Sequence, residues 1–269
     1  MENNEENTGE KHVEELLFDQ ENPHWNVLTA IAYWLFSIAA IVVTQAIATL
    51  AYANYTGISL ADSLENPRVL LVAVWAVLPA HLITLAFGWM IVTRMGRHSF
   101  SKMVGMKWGG FRWWHVILIL LGIFALFAGL ISVFGEQKND FDRLLESSRA
   151  AVYAVAVMAT FSAPIVEEVI YRGVLYSSFK KTFNTVAAVV IVSTLFAAVH
   201  VPQYWGDFAT IFSLLSLSVV LTLVRVWTGN LLPCIALHFV FNGLQTSLLV
   251  LQPWLEPYLE QPTATGLLQ

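Results

Sequence analysis

The residues with the most chemical potential sit where charge is least expected. One apolar run contains Ala163-Pro164-Ile165-Val166-Glu167-Glu168-Val169-Ile170-Tyr171-Arg172-Gly173, two acids and an arginine in a stretch otherwise fit to enter a bilayer. On insertion scales a charged group at membrane depth costs about 2.5–3.5 kcal/mol, so such groups are rare and usually functional. All five aspartates (Asp19, Asp62, Asp140, Asp142, Asp207) and every other glutamate fall outside the apolar runs. Helical spacing separates the two glutamates. Glu168 and Arg172 are four apart with the acid on the amino-terminal side, the better order for an ion pair. Glu167 points about 100° away around the helix and has no local partner. The expectation is that Glu168 and Arg172 neutralise each other while Glu167 faces a cavity. The alternative makes both acids part of a structural ion-pair network.

Two histidines and an amide can join them. His200 ends the run Phe196-Ala197-Ala198-Val199-His200, and His238 precedes Asn242 by four residues, on one helical face. A carboxylate near a neutral histidine can take a proton from water, the general-base half of hydrolysis. A second histidine and an amide can donate hydrogen bonds to the oxyanion formed when water adds to a peptide carbonyl. Glu167 with His200 suits the first role and His238 with Asn242 the second, with neither covalent nucleophile nor cofactor required. Glu167, His200 and His238 could instead hold zinc, since two histidines and a glutamate form a catalytic ligand set. Other protease chemistries fit poorly: there is no HExxH, no pair of aspartates in an apolar run, and no serine in a recognisable nucleophile motif. His81 reads as a hydrogen-bonded packing residue, because nothing nearby in sequence recruits it. Cys234 is the single cysteine, so an intrachain disulfide and a CxxC metal knuckle are excluded.

These side chains need elements to hold them. Apolar residues make up 57% of the chain and charged ones 12%, about half the usual charge of a soluble domain; the mean hydropathy is +0.64. Seven runs come near the roughly 20 residues a crossing needs: 27–53, 69–93, 114–134, 150–178, 185–200, 208–227 and 231–251. The fifth is short, as for a helix buried among others. Asn66-Pro67, Gly109-Gly110 and Gly229-Asn230 break the pattern between runs. The expected fold is all-α: a polytopic membrane protein of about seven transmembrane helices around an intramembrane chamber. At about 1.5 Å per helical residue, Glu167, His200, His238 and Asn242 fall within a band that helix tilt can merge into one site.

Residues 1–26 form a polar tail expected to be disordered, with eight of the nineteen acids in residues 1–21. That segment lacks the basic start of a signal peptide. Residues 27–251 form one membrane domain, with the chemistry confined to about 150–251, and 252–269 form a carboxy-terminal tail. Loop 94–113 carries Arg94, Arg97, Lys102, Lys107 and Arg112 and no acid, which marks it as cytoplasmic. Alternation then puts Lys11, Lys180, Lys181 and Arg225 on the same side and Arg68, Lys138, Arg143 and Arg149 opposite. The amino terminus is expected inside, in a multi-pass protein of the plasma membrane. No basic face suggests nucleic acid.

The segments EEVIYRG, FAAVH and HFVFN resemble the motifs EExxxR, FxxxH and HxxxN of the CPBP family. Its members are intramembrane proteases related to the type II CAAX prenyl endopeptidase and to bacteriocin-processing and self-immunity proteins. The resemblance covers about residues 150–250, each motif on its own span; the first 140 residues match only in being helical spans. It implies a CAAX-protease-like endopeptidase acting on membrane-associated or lipidated peptides and proteins. Glu167 and His200 would activate water, and His238 and Asn242 would line the oxyanion hole. The family is often labelled metal-dependent, although a metal-free glutamate mechanism has also been argued for it. Prenylated CAAX termini are substrates of one branch, and nothing in the sequence shows that this chain sees a prenyl group. Two other classes keep the same residues: a catalytically silent scaffold or immunity protein binding a membrane partner, and a proton-coupled transporter using Glu167 as carrier. Transporters usually show repeated halves, and no internal repeat is visible here.

Overall fold

A computed structural model describes residues 18–63, 66–135 and 137–259. Most of the polar tail (1–17) and the last ten residues of the carboxy-terminal tail therefore lie outside the described residues. The elements are α1 (Val27–Thr56), α2 (Leu60–Ser63), α3 (Pro67–Trp75), α4 (Val77–Thr93), α5 (Phe100–Val104), α6 (Trp113–Phe134), α7 (Asp140–Ser147), α8 (Arg149–Thr182), α9 (Thr185–His200), α10 (Phe208–Thr228) and α11 (Leu232–Leu259). Six helices are long and apolar enough to cross a membrane: α1, the α3–α4 pair, α6, α8, α10 and α11 up to Leu255. The chain is a polytopic helical membrane protein with no strand among the described residues. The shorter α9 joins the six, packing against α8 and α10.

Local chemistry sets the helix boundaries. Asn26, Asn66, Asn139, Ser148, Asn184 and Asp207 each accept a hydrogen bond from a first-turn amide, supplying an acceptor for donors that have no intrahelical partner. Pro67 then opens α3, where its missing N–H costs nothing. Apolar side chains remain exposed on the outer helices, as with Val42, Val43 and Ile47 on α1 and Leu118 and Leu121 on α6. In water such a surface would aggregate; in a bilayer it faces lipid. Where α1 and α4 touch, Tyr33 donates to the Thr84 carbonyl at 3.0 Å. A β-carbon on Gly88 would overlap the Tyr33 hydroxyl, an instance of small residues permitting close approach of membrane helices.

The two ends of the bundle differ. One gathers residues 18–26, loop 94–112, the α8–α9 turn and the α10–α11 turn. Lys180 pairs with Glu21, Lys181 donates to the Pro23 carbonyl at 2.7 Å, and Trp25 Nε1 donates to the Val174 carbonyl at 3.0 Å. The last residues of the expected tail are thus anchored, with Trp25 buried. Leu231 N–H donates to the Gly105 carbonyl at 2.7 Å. Gly105 has φ +74°, and a β-carbon there would collide with Gln20 and Asn230. At the opposite end Asn139 donates to Asp207 at 3.2 Å, Phe141 meets Tyr204 edge-on, and Arg149 lies over the Trp254 ring.

Three features differ from the sequence reading. Helix α11 continues to Leu259 rather than stopping near 251. The short helix α7 fills a segment read as loop. Within α8, Met158–Ser162 and Val169–Leu175 are π-helical and flank the α-helical Ala163–Glu168. The first stretch has a visible cause. Proline inside a helix lacks a donor and clashes with the carbonyl four residues back, and Pro164 sits two residues beyond that stretch, with Thr160, four back, inside it. Single wide turns of this kind often mark functional sites.

Candidate active site

Arg172 is wholly buried, and each of its nitrogens is engaged. Nη1 donates to Glu168 Oε1 at 2.9 Å. Nη2 reaches the Ser218 carbonyl at 2.9 Å and the Ser218 hydroxyl at 2.7 Å. Nε approaches Thr222 Oγ1 at 3.3 Å. The guanidinium also lies over the Phe196 ring, 5.1 Å from its centre. A guanidinium taken out of water needs this degree of satisfaction, because an unpaired buried ion costs several kcal/mol. Ser218 and Thr222, one turn apart on α10, carry no sequence signal beyond being hydroxyls in an apolar helix.

Glu168 is equally buried, and Arg172 is not its only partner. His238 Nδ1 lies 2.8 Å from the same oxygen, Oε1, while Oε2 has no hydrogen-bond partner. The expectation that Glu168 and Arg172 simply neutralise each other is therefore incomplete: Glu168 also orients His238. A carboxylate only accepts, so Nδ1 carries the proton and Nε2 is turned toward Glu167, with His238 Nε2 and Glu167 Oε2 3.8 Å apart. This carboxylate–imidazole arrangement fixes ring orientation and compensates charge on the ring, as in the acid–histidine half of a hydrolytic triad.

Glu167 faces a cavity of about 570 Å³, with His81, His200, His238 and Asn242 also on its walls. Its side chain is 22% exposed against 0% for its neighbour Glu168. His200 Nδ1 donates to the Phe196 carbonyl at 2.7 Å. That bond leaves Nε2 with its lone pair, the tautomer that can accept a proton or a water hydrogen.

Asn242 is placed by the proline. Ala163 N–H reaches back five residues to the Met158 carbonyl. The next bond in that pattern would run from residue 164 to the Ala159 carbonyl, and Pro164 has no N–H to give. Asn242 Nδ2 supplies the donor instead, at 2.8 Å. One amide hydrogen is thereby committed, and the other, with Oδ1, stays available. A helix irregularity in α8 thus sets the position of a side chain on α11.

His81 is the buried, hydrogen-bonded histidine that the sequence reading expects, with a partner the sequence does not name. Its Nδ1 lies 3.0 Å from Ser162 Oγ. Because the serine hydroxyl already donates to the Met158 carbonyl at 3.1 Å, Nδ1–H is the donor of the pair. His81 is therefore recruited from 81 residues away and stands on the cavity wall. Other polar wall residues escaped the sequence reading too: Gln45, Gln203, Tyr204 and Gln245. Burial pushes the Tyr204 phenol above its usual pKa, helped by Asp142, Glu167 and Asp207, so its hydroxyl remains a neutral donor.

Among the described residues no group of three His, Cys, Asp or Glu side chains is set to hold a metal ion. Glu167, His200 and His238 share the cavity; His238 gives Nδ1 to Glu168, which leaves its Nε2 3.8 Å from Glu167 Oε2, a separation two ligands about 2 Å from one ion can span.

The arrangement has the parts of a hydrolytic site: an accessible carboxylate, a histidine with a free lone pair, and two oriented nitrogen groups on the same wall. Neither a curated protein nor a solved structure matches the chain significantly. Residues 149–244 match the family model described as type II CAAX prenyl endopeptidase Rce1-like. That match begins at the first residue of α8 and ends two residues beyond Asn242, so it spans all six residues singled out from the sequence, and it supports the likeness of this segment to the CPBP/CAAX protease family.

Proposed function

We propose that the protein is an intramembrane endopeptidase that hydrolyses peptide bonds of membrane-associated or lipidated substrates with water activated by Glu167 and His200. The observation that carries this reading is the contrast between adjacent acids, one locked in a satisfied buried network and the other open to the cavity beside His238. In the proposed reaction, water between Glu167 and His200 gives up a proton and its oxygen attacks the scissile carbonyl carbon. The resulting oxyanion receives hydrogen bonds from His238 Nε2 and the free amide hydrogen of Asn242. For that donation His238 must carry protons on both nitrogens, and Glu168, itself held by Arg172, compensates the positive charge. The abstracted proton passes to the leaving amine as the C–N bond breaks. Glu168 and Arg172 act through His238 and are positioning residues.

The substrate is a peptide or protein segment lying in or on the bilayer, and no nucleic acid or cofactor takes part. Activity is expected to survive EDTA and 1,10-phenanthroline; loss on chelation with recovery on adding zinc would establish the metal route instead. The end of the bundle bearing loop 94–112 is assigned to the cytoplasm, which puts the amino terminus inside; the plasma membrane is the proposed location. A cysteine replacing Lys102 in a Cys234→Ala chain should react with impermeant reagent only after cells are opened. The deciding experiment compares membrane peptidomes of cells carrying the wild-type protein and Glu167→Gln. Products that vanish in the variant support the enzyme; identical peptidomes would leave the silent scaffold, and solute movement in sealed vesicles the transporter.

A further inference from the structure

Loop 94–112 contains no acid, and it is folded onto the end of the bundle rather than slack. Its apolar residues turn inward: Met103, Val104 and Phe111 are buried, and Phe111 meets the Trp227 ring edge-on. Backbone bonds pin it along its length. His98 N–H donates to the Thr93 carbonyl at 2.8 Å, Phe111 N–H donates to the Trp108 carbonyl at 2.8 Å, and Gly105 accepts from Leu231. Arg94, Met95 and Gly96 all take positive φ, a tight left-handed turn closed by the Gly96 amide on Thr93 Oγ1 at 2.8 Å. With the apolar residues inside, Arg97, Lys102, Lys107 and Arg112 are exposed.

Three of these cations are not matched by the protein. Among the described residues no ion pair joins Arg97, Lys107 or Arg112 to an acid. The acids on residues 18–26 are engaged elsewhere: Asp19 accepts from the amides of Glu21 and Asn22, and Glu21 pairs with Lys180. The opposite end of the bundle is different. There Lys138 pairs with Glu146, Arg143 pairs with Asp140, and Arg149 lies over the Trp254 ring.

Two occupants carry the complementary charge. One is the segment 1–17, outside the described residues, with six glutamates and one lysine. The other is the phosphate of lipid headgroups at that end of the bundle. The tryptophans separate them. Trp108 and Trp113 directly follow Lys107 and Arg112 in the chain, and they are 53% and 75% exposed. An acidic segment bound through salt bridges would leave those rings in water. At a membrane boundary tryptophan sits at headgroup level, its apolar body toward the acyl chains and its N–H toward water. Cations clustered directly beside a span attract anionic lipid, each contributing about fivefold to binding.

We infer that this face binds anionic phospholipid, with Arg97, Lys107 and Arg112 meeting headgroup phosphates and Trp108 and Trp113 seated beside them in the leaflet. A guanidinium matches a phosphate with two parallel N–H donors, and a face already folded loses little freedom when the lipid arrives. This binding is independent of the protease reading.

The probes are phosphatidylglycerol and phosphatidylcholine with the same acyl chains, added to purified full-length protein in neutral detergent and counted by native mass spectrometry. The wild type should retain phosphatidylglycerol at least about tenfold over phosphatidylcholine. Arg97→Gln/Lys107→Gln/Arg112→Gln should remove most of that preference. Each single substitution should lower it by about fivefold or less, so the loss can be followed in steps on folded protein. Arg68→Gln/Lys138→Gln/Arg149→Gln removes the same charge from the opposite end and should keep the preference. No preference in the wild type would overturn the inference, as would equal loss in the two triple variants, which would make net charge the only cause. Two further results would also overturn it. Displacement of the lipid by excess inorganic phosphate would make this a soluble-anion site, and a preference seen only after deletion of residues 2–15 would give the face to the acidic segment.

Discussion

The two faces of the middle of α8 are built to opposite specifications. Glu168 and Arg172 look inward to α10 and α11, where each is wholly buried and tied to side chains that never meet solvent. Glu167, one residue earlier, looks into a cavity, with His238 Nε2 3.8 Å away. The same side-chain chemistry thus becomes a structural anchor on one face and, in the proposed function, a reactive group on the other. The inward face spends its charge on holding His238, whereas the outward face keeps its carboxylate free to exchange protons with water. Perturbing the inward face should act on stability first and activity second; perturbing the outward face should act on activity alone.

The largest effect that comparison predicts is on activity without stability. Glu167→Gln removes the proton acceptor but keeps the shape, so peptide turnover should fall by about 10²–10⁴, the usual worth of a positioned acid–base group. Thermal unfolding in detergent should be unchanged. Normal cleavage by the purified variant would erase the distinction between the faces.

The inward face gives the next effect. Removing one partner of a buried pair leaves the other charge uncompensated, at about 3–5 kcal/mol, whereas replacing both can be nearly neutral. Arg172→Met and Glu168→Gln should each lower thermal stability, and the double variant should recover much of the loss. A double-mutant cycle isolates the pairwise contribution. The Glu168–His238 bond adds a sharper expectation, that activity stays low in the rescued double variant because the imidazole has lost its orientation. Rescue of Arg172→Met by Glu167→Gln instead would exchange the roles of the two faces.

Much of this was legible because the informative contacts are local. The Glu168–Arg172 pair follows from four-residue spacing on any helix, and the seven apolar runs follow from composition, with the short one at 185–200 appearing as a helix of modest length. What stayed hidden depends on long-range packing or on departures from α-geometry. His238 meets Glu168 across 70 residues, Asn242 meets Ala159 across 83, and His81 meets Ser162 across 81. No periodicity encodes those distances. The reading of His81 as a hydrogen-bonded packing residue holds, but for that reason its partner Ser162 could not be named. The π-helical stretches were hidden differently: Pro164 was in plain view, but a proline in a helix can kink, break or widen it, and only the packed partner decides.

A smaller effect concerns the nitrogen donors. Asn242→Ala should reduce kcat by about 10²–10³, as for other lost oxyanion donors, with KM little changed. The variant also leaves the Ala159 carbonyl without its partner, which should cost about 1–3 kcal/mol if water cannot enter. A variant whose sole defect is a raised KM would move Asn242 from the reacting carbonyl to substrate binding.

The smallest expected effect is at Pro164, and it tests whether the irregularity of α8 serves the site. Proline in a helix interior is unfavourable by about 3 kcal/mol relative to alanine in an ordinary helix, so Pro164→Ala should raise thermal stability, by less than that because α8 has adapted its turns. The new N–H can satisfy a carbonyl of the preceding turn, either Ala159 through the π-type bond or Thr160 through the α-type bond. If Ala159 is the one satisfied, Asn242 loses its anchor and its amide swings free. A misplacement of order 1 Å can cost as much as 10²-fold in rate, and a freed side chain that still samples the right position should lose less, about tenfold in kcat. The signature is therefore a protein that is more stable and slower. Because both substitutions act through the Ala159–Asn242 bond, adding Pro164→Ala to Asn242→Ala should slow the enzyme no further, whereas the same substitution in an independent part of the helix would multiply the losses. Full activity in Pro164→Ala would show that the wide turn is a tolerated accident of the proline and that Asn242 is held by α11 alone.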